Sequence, residues 1–148
     1  MINESRLNIY DYLYKLFDDV VSVNVYAIAP PKELTNKDTQ NGFLVIRVTT
    51  LNDASEFKGE AYAWSRCYVT AYVPTVSRGR LDYDAFGNIE NTINGIINDE
   101  IENTHNDTYG IQKGSIMSYD SFENANSDNT FYLYTKSFTI TVFSNNND

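Results

Sequence analysis

His105 and Cys67 are the only histidine and the only cysteine in the chain, and neither has the company that catalysis would require. A hydrolytic triad needs a nucleophile, a base and a group that orients the base. A zinc site of the nitrogen/sulfur type draws most of its four ligands from these two residue types. His105 stands in the polar run Asn103-Thr104-His105-Asn106-Asp107 and reads as a solvated turn residue. Cys67 falls on the small-residue side of an expected strand and reads as a buried small hydrophobe. No base is suggested near it to make it reactive, and a lone cysteine leaves no intrachain disulfide.

The acidic groups also read as structural. Asp120, Asn124, Asn126 and Asp128 offer oxygen ligands of the kind calcium takes. Their spacing departs from the calcium-loop pattern and the glycine of its sharp turn is missing, so they read as an ordinary polar loop. Asp82 and Asp84 fit a helix cap followed by a first-turn acid. Gly79, Gly87 and Gly95 are evenly spaced, but two of them lie inside an expected helix, which is not a phosphate-binding loop. No residue is therefore assigned as catalytic, cofactor-binding or metal-ligating, and the chain is expected not to be an enzyme. An enzymatic reading survives only in the general sense that carboxylates distant in sequence can meet in space.

Contact chemistry is better represented. Between Glu60 and Val73 the residues alternate in size: Tyr62, Trp64, Arg66, Tyr68, Thr70 and Tyr72 on one side, Ala61, Ala63, Ser65, Cys67, Val69, Ala71 and Val73 on the other. Successive strand residues point to opposite faces of a sheet, so the small face suits close helix packing and the aromatic face needs a cover of its own. That cover is either the chain's own elements or another molecule, for which a row of uncovered aromatics is a contact surface. Arg78 and Arg80 stand out on an acidic background; they dock an acidic neighbour or touch phosphate, or else form a solvated loop tip. Tyr62, Trp64, Tyr68, Tyr72, Arg78 and Arg80 are the candidate subunit-interface residues.

The elements that position these residues follow from periodicity. Glu4 to Asp19 has apolar residues at helical spacing (Leu7, Tyr10, Leu13, Tyr14, Phe17), with Asn3 or Ser5 as cap. Val20 to Ile28 is a short strand ending before Pro30-Pro31. Lys32 to Asn41 reads as loop. Gly42 to Thr50 is a strand whose nearly continuous apolar run implies partial cover on both faces. It forms a long antiparallel hairpin with the strand Glu60 to Val73, across a turn at Asn52 to Gly59. Asp82 caps a helix over Tyr83 to Asn103 with a stripe of Phe86, Ile89, Ile93, Ile96, Ile97 and Ile101. Tyr109 to Tyr119 is a strand, Ser121 to Asn129 a loop and Thr130 to Ser144 a final strand, with Asn145 to Asp148 frayed. The expected fold is α+β: a mostly antiparallel twisted sheet of about five strands with a long hairpin and two helices packed on one face, in the order α-β-β-β-α-β-β.

Composition bounds the rest. One domain covers residues 1–148, and 42% hydrophobic with 14% aromatic residues is enough for a core. The net charge of −9 argues against sequence-independent nucleic-acid binding, which requires a basic footprint, while an acidic wall lets DNA slide past. The opening MINESRLNIYDYL has an early acid and no apolar core, so no signal peptide is expected. No apolar run approaches the roughly 20 residues of a membrane span, and no membrane partner is expected.

The element order, with the opening helix Arg6-Leu7-Asn8-Ile9-Tyr10-Asp11-Tyr12-Leu13, the hairpin Phe43 to Val73 and the amphipathic helix after Asp82, resembles the tail-terminator and tail-completion proteins of tailed bacteriophages and the related head–tail neck proteins. The likeness is one of pattern and covers Glu4 to Ser144. The Asn- and Tyr-rich, proline-poor composition is also similar to that of phage or other mobile-element proteins. The polar stretch Asn124 to Asn129 and the strongly aromatic hairpin face depart from the family pattern. What the resemblance implies is a non-enzymatic structural protein of the virion, assembled in the host bacterial cytoplasm. It forms a closed ring, often of six subunits and in short-tailed relatives twelvefold, bound to portal, connector or tail proteins with DNA only as passing cargo. The alternatives are a standalone protein- or peptide-binding module and an uncharacterised enzyme.

Overall fold

A computed structural model describes residues 6–18, 20–49, 52–53, 63–76, 80–103, 109–126 and 129–142. Three helices, α1 (Arg6–Asp18), α2 (Asn36–Asn41) and α3 (Tyr83–Asn103), accompany β1 (Asn24–Ala27), β2 (Phe43–Val48), β3 (Asn52–Asp53), β4 (Ala63–Pro74), β5 (Tyr109–Ile111), β6 (Met117–Asn126) and β7 (Asn129–Val142). The expected class is borne out: the fold is α+β, with a mostly antiparallel open sheet of about six strands.

The sheet runs β1-β2-β4-β7-β5, with β3 on β4 and β6 on β7. The pairing β2–β4 is antiparallel, as the hairpin reading expected. β4 pairs with β7 over its whole length, from Ala63 opposite Val142 to Pro74 opposite Phe131. Because β7 occupies one edge of β4 throughout, β3 must continue the line of β2 on the other. Among the described residues the one parallel pair is β1–β2, and a parallel neighbour requires a crossover rather than a tight turn.

The small-residue face of β4 received the helices. Ile9, Leu13 and Phe17 of α1 and Ile93 and Ile97 of α3 are buried against Cys67, Val69, Ala71 and Val73 of β4 and Phe138 and Ile140 of β7. Asp82 caps α3, its Oδ1 accepting from the Ala85 N–H at 3.1 Å. Tyr12 stacks on Tyr109 with ring centroids 4.7 Å apart and donates a hydrogen bond to the Glu100 carboxylate, tying α1 to α3 and β5.

Three expectations need correction. Lys32 to Asn41 is not all loop, since its second half is α2. That helix has no apolar stripe; it is held by a capping box in which the Asp38 N–H bonds the Thr35 hydroxyl while Asp38 accepts from the Thr35 N–H. Gly42 ends it at φ 83, where an added Cβ would lie 2.2 Å from the Tyr72 carbonyl oxygen, so only glycine fits. The segment expected as a loop from Ser121 is strand, because β6 continues to Asn126 with a bulge between Asn124 and Asn126. Its polar side chains conceal a pairing that β7 imposes on it. The strand expected over Tyr109 to Tyr119 is broken by a 3₁₀ turn at Lys113–Ser115 into β5 and the start of β6. His105 and the tail Asn145 to Asp148, expected to fray, lie outside the described residues.

Candidate interaction surface

The opposite face of the sheet divides into two halves. Directly opposed residues of an antiparallel pair share a face, so the register places Phe43, Val45 and Arg47 of β2 beside Tyr72, Thr70 and Tyr68 of β4. Leu133, Thr135, Ser137, Thr139 and Thr141 of β7 follow on the far side, and Tyr119 and Met117 of β6 beyond them.

One half is closed. Phe43, Val45, Tyr72, Phe131 and Leu133 form a second buried cluster, covered by Tyr26 and by Leu34 of the crossover between β1 and β2. Phe43 stacks on Tyr72 at 4.5 Å and meets Phe131 edge-on at 5.5 Å. Asp38 pins the crossover down: fully buried, it accepts from Tyr26 Oη at 2.7 Å, Asn24 Nδ2 at 2.9 Å and the Thr35 N–H. Burial alone would raise its pKa, but the hydrogen bonds from Tyr26, Thr35 and Asn24 prevail and hold it below the ordinary carboxylate value. Burial, and then the bond to Asp38, raise that of Tyr26.

The other half is open. Trp64 is 38% exposed, Met117 and Tyr119 are exposed, and Arg66 and Tyr68 are half-buried. Arg66 lies across β7, with Nη2 donating to Ser137 Oγ at 2.6 Å and Nη1 to Thr139 Oγ1 at 3.1 Å. It thereby seals Ser137, which is fully buried on a part of the face that no other described element covers. Its neighbour Arg47 is exposed, and its Nε donates to the Ile28 carbonyl at 3.1 Å. Arg47 sits opposite Tyr68, which makes Arg66 its diagonal neighbour on the same face. Among the described residues the only ion pair is Lys15–Asp11 on α1, so both guanidiniums of this face are matched by neutral acceptors.

Ile28 borders this surface in an unusual backbone state. Its φ is 78, and the Ala29 N–H bonds the Ala27 carbonyl across it at 2.9 Å, making a strained γ-turn. A β-branched residue there is a genuine outlier costing about 1–3 kcal/mol. Its side chain nevertheless stays 61% exposed, so burial within the chain offsets little of the strain.

The structure thus redistributes the candidate interface residues. Trp64 and Tyr68 belong to the open half. Tyr72 is buried in the closed half and supports the fold. Arg80 is exposed at the other end of β4, in an isolated bridge with Val76 whose N–H bonds its carbonyl at 2.7 Å. Tyr62 and Arg78 lie outside the described residues. Arg47 and Ile28 were missed, although Arg47 is the one charge in the otherwise apolar run Phe43-Leu44-Val45-Ile46-Arg47-Val48. Alternation along the strand places Arg66 on this face, but it carries no signal of its bonds to Ser137 and Thr139.

The remaining chemistry is sparse. Cys67 is fully buried, and burial pushes its thiol up to about 12 despite the Ser65 carbonyl it donates to and the nearby Arg66. A groove of about 500 Å³ runs between the start of α3, the turn before β1 and the end of β4. Its lining is apolar and amide-rich, with Val20, Val23, Asn41 and Ile89 among it, and its one carboxylate, Asp82, caps α3. No group of three His, Cys, Asp or Glu side chains able to hold a metal occurs among the described residues, and no described helix is long and apolar enough to cross a membrane. No protein-family model matches the chain, and no curated protein matches its sequence.

Proposed function

We propose that this chain is a structural subunit of a tailed-bacteriophage virion, assembling as a closed ring of six or twelve copies at the head–tail junction or along the tail, with DNA passing through its lumen. The observation that carries the assembly reading is the open half of the sheet, where Trp64, Met117 and Tyr119 share one face with two arginines matched only by neutral acceptors. Aromatic and arginine side chains enriched on a surface and short of charged partners are the usual composition of a contact patch. The phage setting is supported by the likeness in element order to tail-terminator and neck proteins. The charge of −9 supports a lumen that repels the phosphate backbone and lets it slide.

Native mass spectrometry or light scattering at micromolar concentration, on the chain alone and mixed with its neighbouring virion proteins, is the test. Ring-sized species in either sample are expected. A strictly monomeric chain in both would overturn the reading. Portal or tail genes adjacent to this one would be the expected genomic setting. The second reading, a binding module for a foreign protein or peptide, is favoured by the amide-lined groove beside α3. It expects a monomer that loses a ligand when Trp64 or the groove is altered.

A further inference from the structure

The helix layer carries a second exposed feature that the core does not use. α1 buries Ile9, Leu13 and Phe17, yet its outward side bears Leu7, 72% exposed, and Tyr14, 42% exposed. With Asp11 and Asp18 they form one line at helical spacing, positions 7, 11, 14 and 18, in which Lys15 engages Asp11 at 3.0 Å and Asp18 is exposed. This line lies on one side of the sheet and is apolar, with Asp18 the carboxylate in it that Lys15 does not engage. The open half of the other side is aromatic and basic.

We infer that the outward stripe of α1 in one copy docks onto the open sheet half of the next, so that copies join front to back through two different patches. The inference rests on the assembly reading above and names its contact. Charge complementarity selects a second copy as the occupant. Arg47 and Arg66 are like charges on diagonal neighbours, and an arriving carboxylate relieves their repulsion while meeting donors already held in place. Asp18 supplies that carboxylate, and Leu7 and Tyr14 supply apolar surface for Trp64 and Ile28. The strain at Ile28 fits the same role, since it holds an aliphatic side chain outward where only a partner can bury it. The resulting helix-on-sheet contact repeats the packing that α1 and α3 already make within one chain. Such a contact is heterologous and closes into a ring when the rotation per subunit allows.

Two variants built at exposed positions test it: an acceptor variant, Arg47→Glu with Trp64→Ser, and a donor variant, Leu7→Ser with Tyr14→Ser and Asp18→Asn. Circular dichroism and thermal melts check that each remains folded, and Arg47→Glu alone serves if the double acceptor variant does not. In native mass spectrometry each variant alone is expected to lose every species above the monomer. Their equimolar mixture is expected to give a two-chain species and nothing larger, because one intact contact remains per pair. If either variant assembles as the parent does, or the mixture stays monomeric, the contact lies elsewhere and this inference falls while the assembly reading stands. A parent chain that is monomeric alone but joins a ring of neighbouring virion proteins also overturns it, since the open half then belongs to a different protein.

Discussion

Tyr72 and Trp64 lie on the same strand and the same face, eight residues apart, yet one belongs to the core and the other to the surface. Among the described residues, the halves of the sheet they occupy differ in one architectural respect: the crossover from β1 to β2 passes over one and not the other. Under it the face is Phe43, Val45, Tyr72, Phe131 and Leu133. Beyond it, β7 presents Thr135, Ser137, Thr139 and Thr141, and Arg66 lies over that row as the chain's own partial cover. Cover and composition change together, and the residues that break this correspondence, Trp64, Met117, Tyr119 and Ile28, are those a monomer gives no reason to keep.

The comparison fails most visibly if the closed half is not a true core. Phe131→Ala, at a fully buried site in two edge-on ring contacts, should cost about 3–5 kcal/mol. Urea denaturation would read this as a lower midpoint with an unchanged slope. A loss below about 1 kcal/mol would mean that the crossover does not seal this half.

Asp38→Asn should cost about 1.5–3 kcal/mol, because the carboxylate accepts from Tyr26, Asn24 and Thr35 and an amide oxygen cannot replace both of its oxygens. The parent should also show an acid-side dependence that the variant reduces. Since the folded Asp38 titrates below its unfolded value of about 3.9, its contribution is complete above that pH and is lost as pH falls through the folded value. Stability curves of parent and variant that run parallel between neutral pH and pH 3 would contradict this assignment.

Ile28→Gly has the opposite sign. Releasing the positive-φ strain, less the extra unfolded-state freedom of glycine, should raise stability by about 1 kcal/mol in a thermal melt. Self-association should weaken in the same variant. A chain that becomes more stable and assembles unchanged would separate Ile28 from the contact. Trp64→Ala should cost about 1–2 kcal/mol of folding stability, less than half the loss at Phe131, because a side chain already 38% exposed gives up only part of its burial. Should Trp64→Ala destabilise the isolated chain as much as Phe131→Ala does, the two halves would be equivalent after all and the open surface would need another explanation.

Several features are legible in the amino-acid sequence alone. The apolar stripes of α1 and α3, the β2–β4 hairpin and the small-residue face beneath the helices follow from periods of 3.6 and 2, which are properties of the backbone alone. The Asp82 cap is similarly local. α2 was not legible, because six polar residues stabilised by Thr35 and Asp38 carry no hydrophobic period. The polar β6 was hidden for the complementary reason: its strand state comes from pairing with β7, which a window along the chain does not see.

The sequence by itself determined that the strand from Glu60 to Val73 would have an aromatic and a small-residue face, since alternation is fixed by strand geometry. It could not decide which aromatics are core and which are surface. That depended on where a connection distant in sequence crosses the sheet, and on Arg47 and Arg66 arriving as neighbours through strand register. Both are consequences of long-range pairing, and only the tertiary structure contains them.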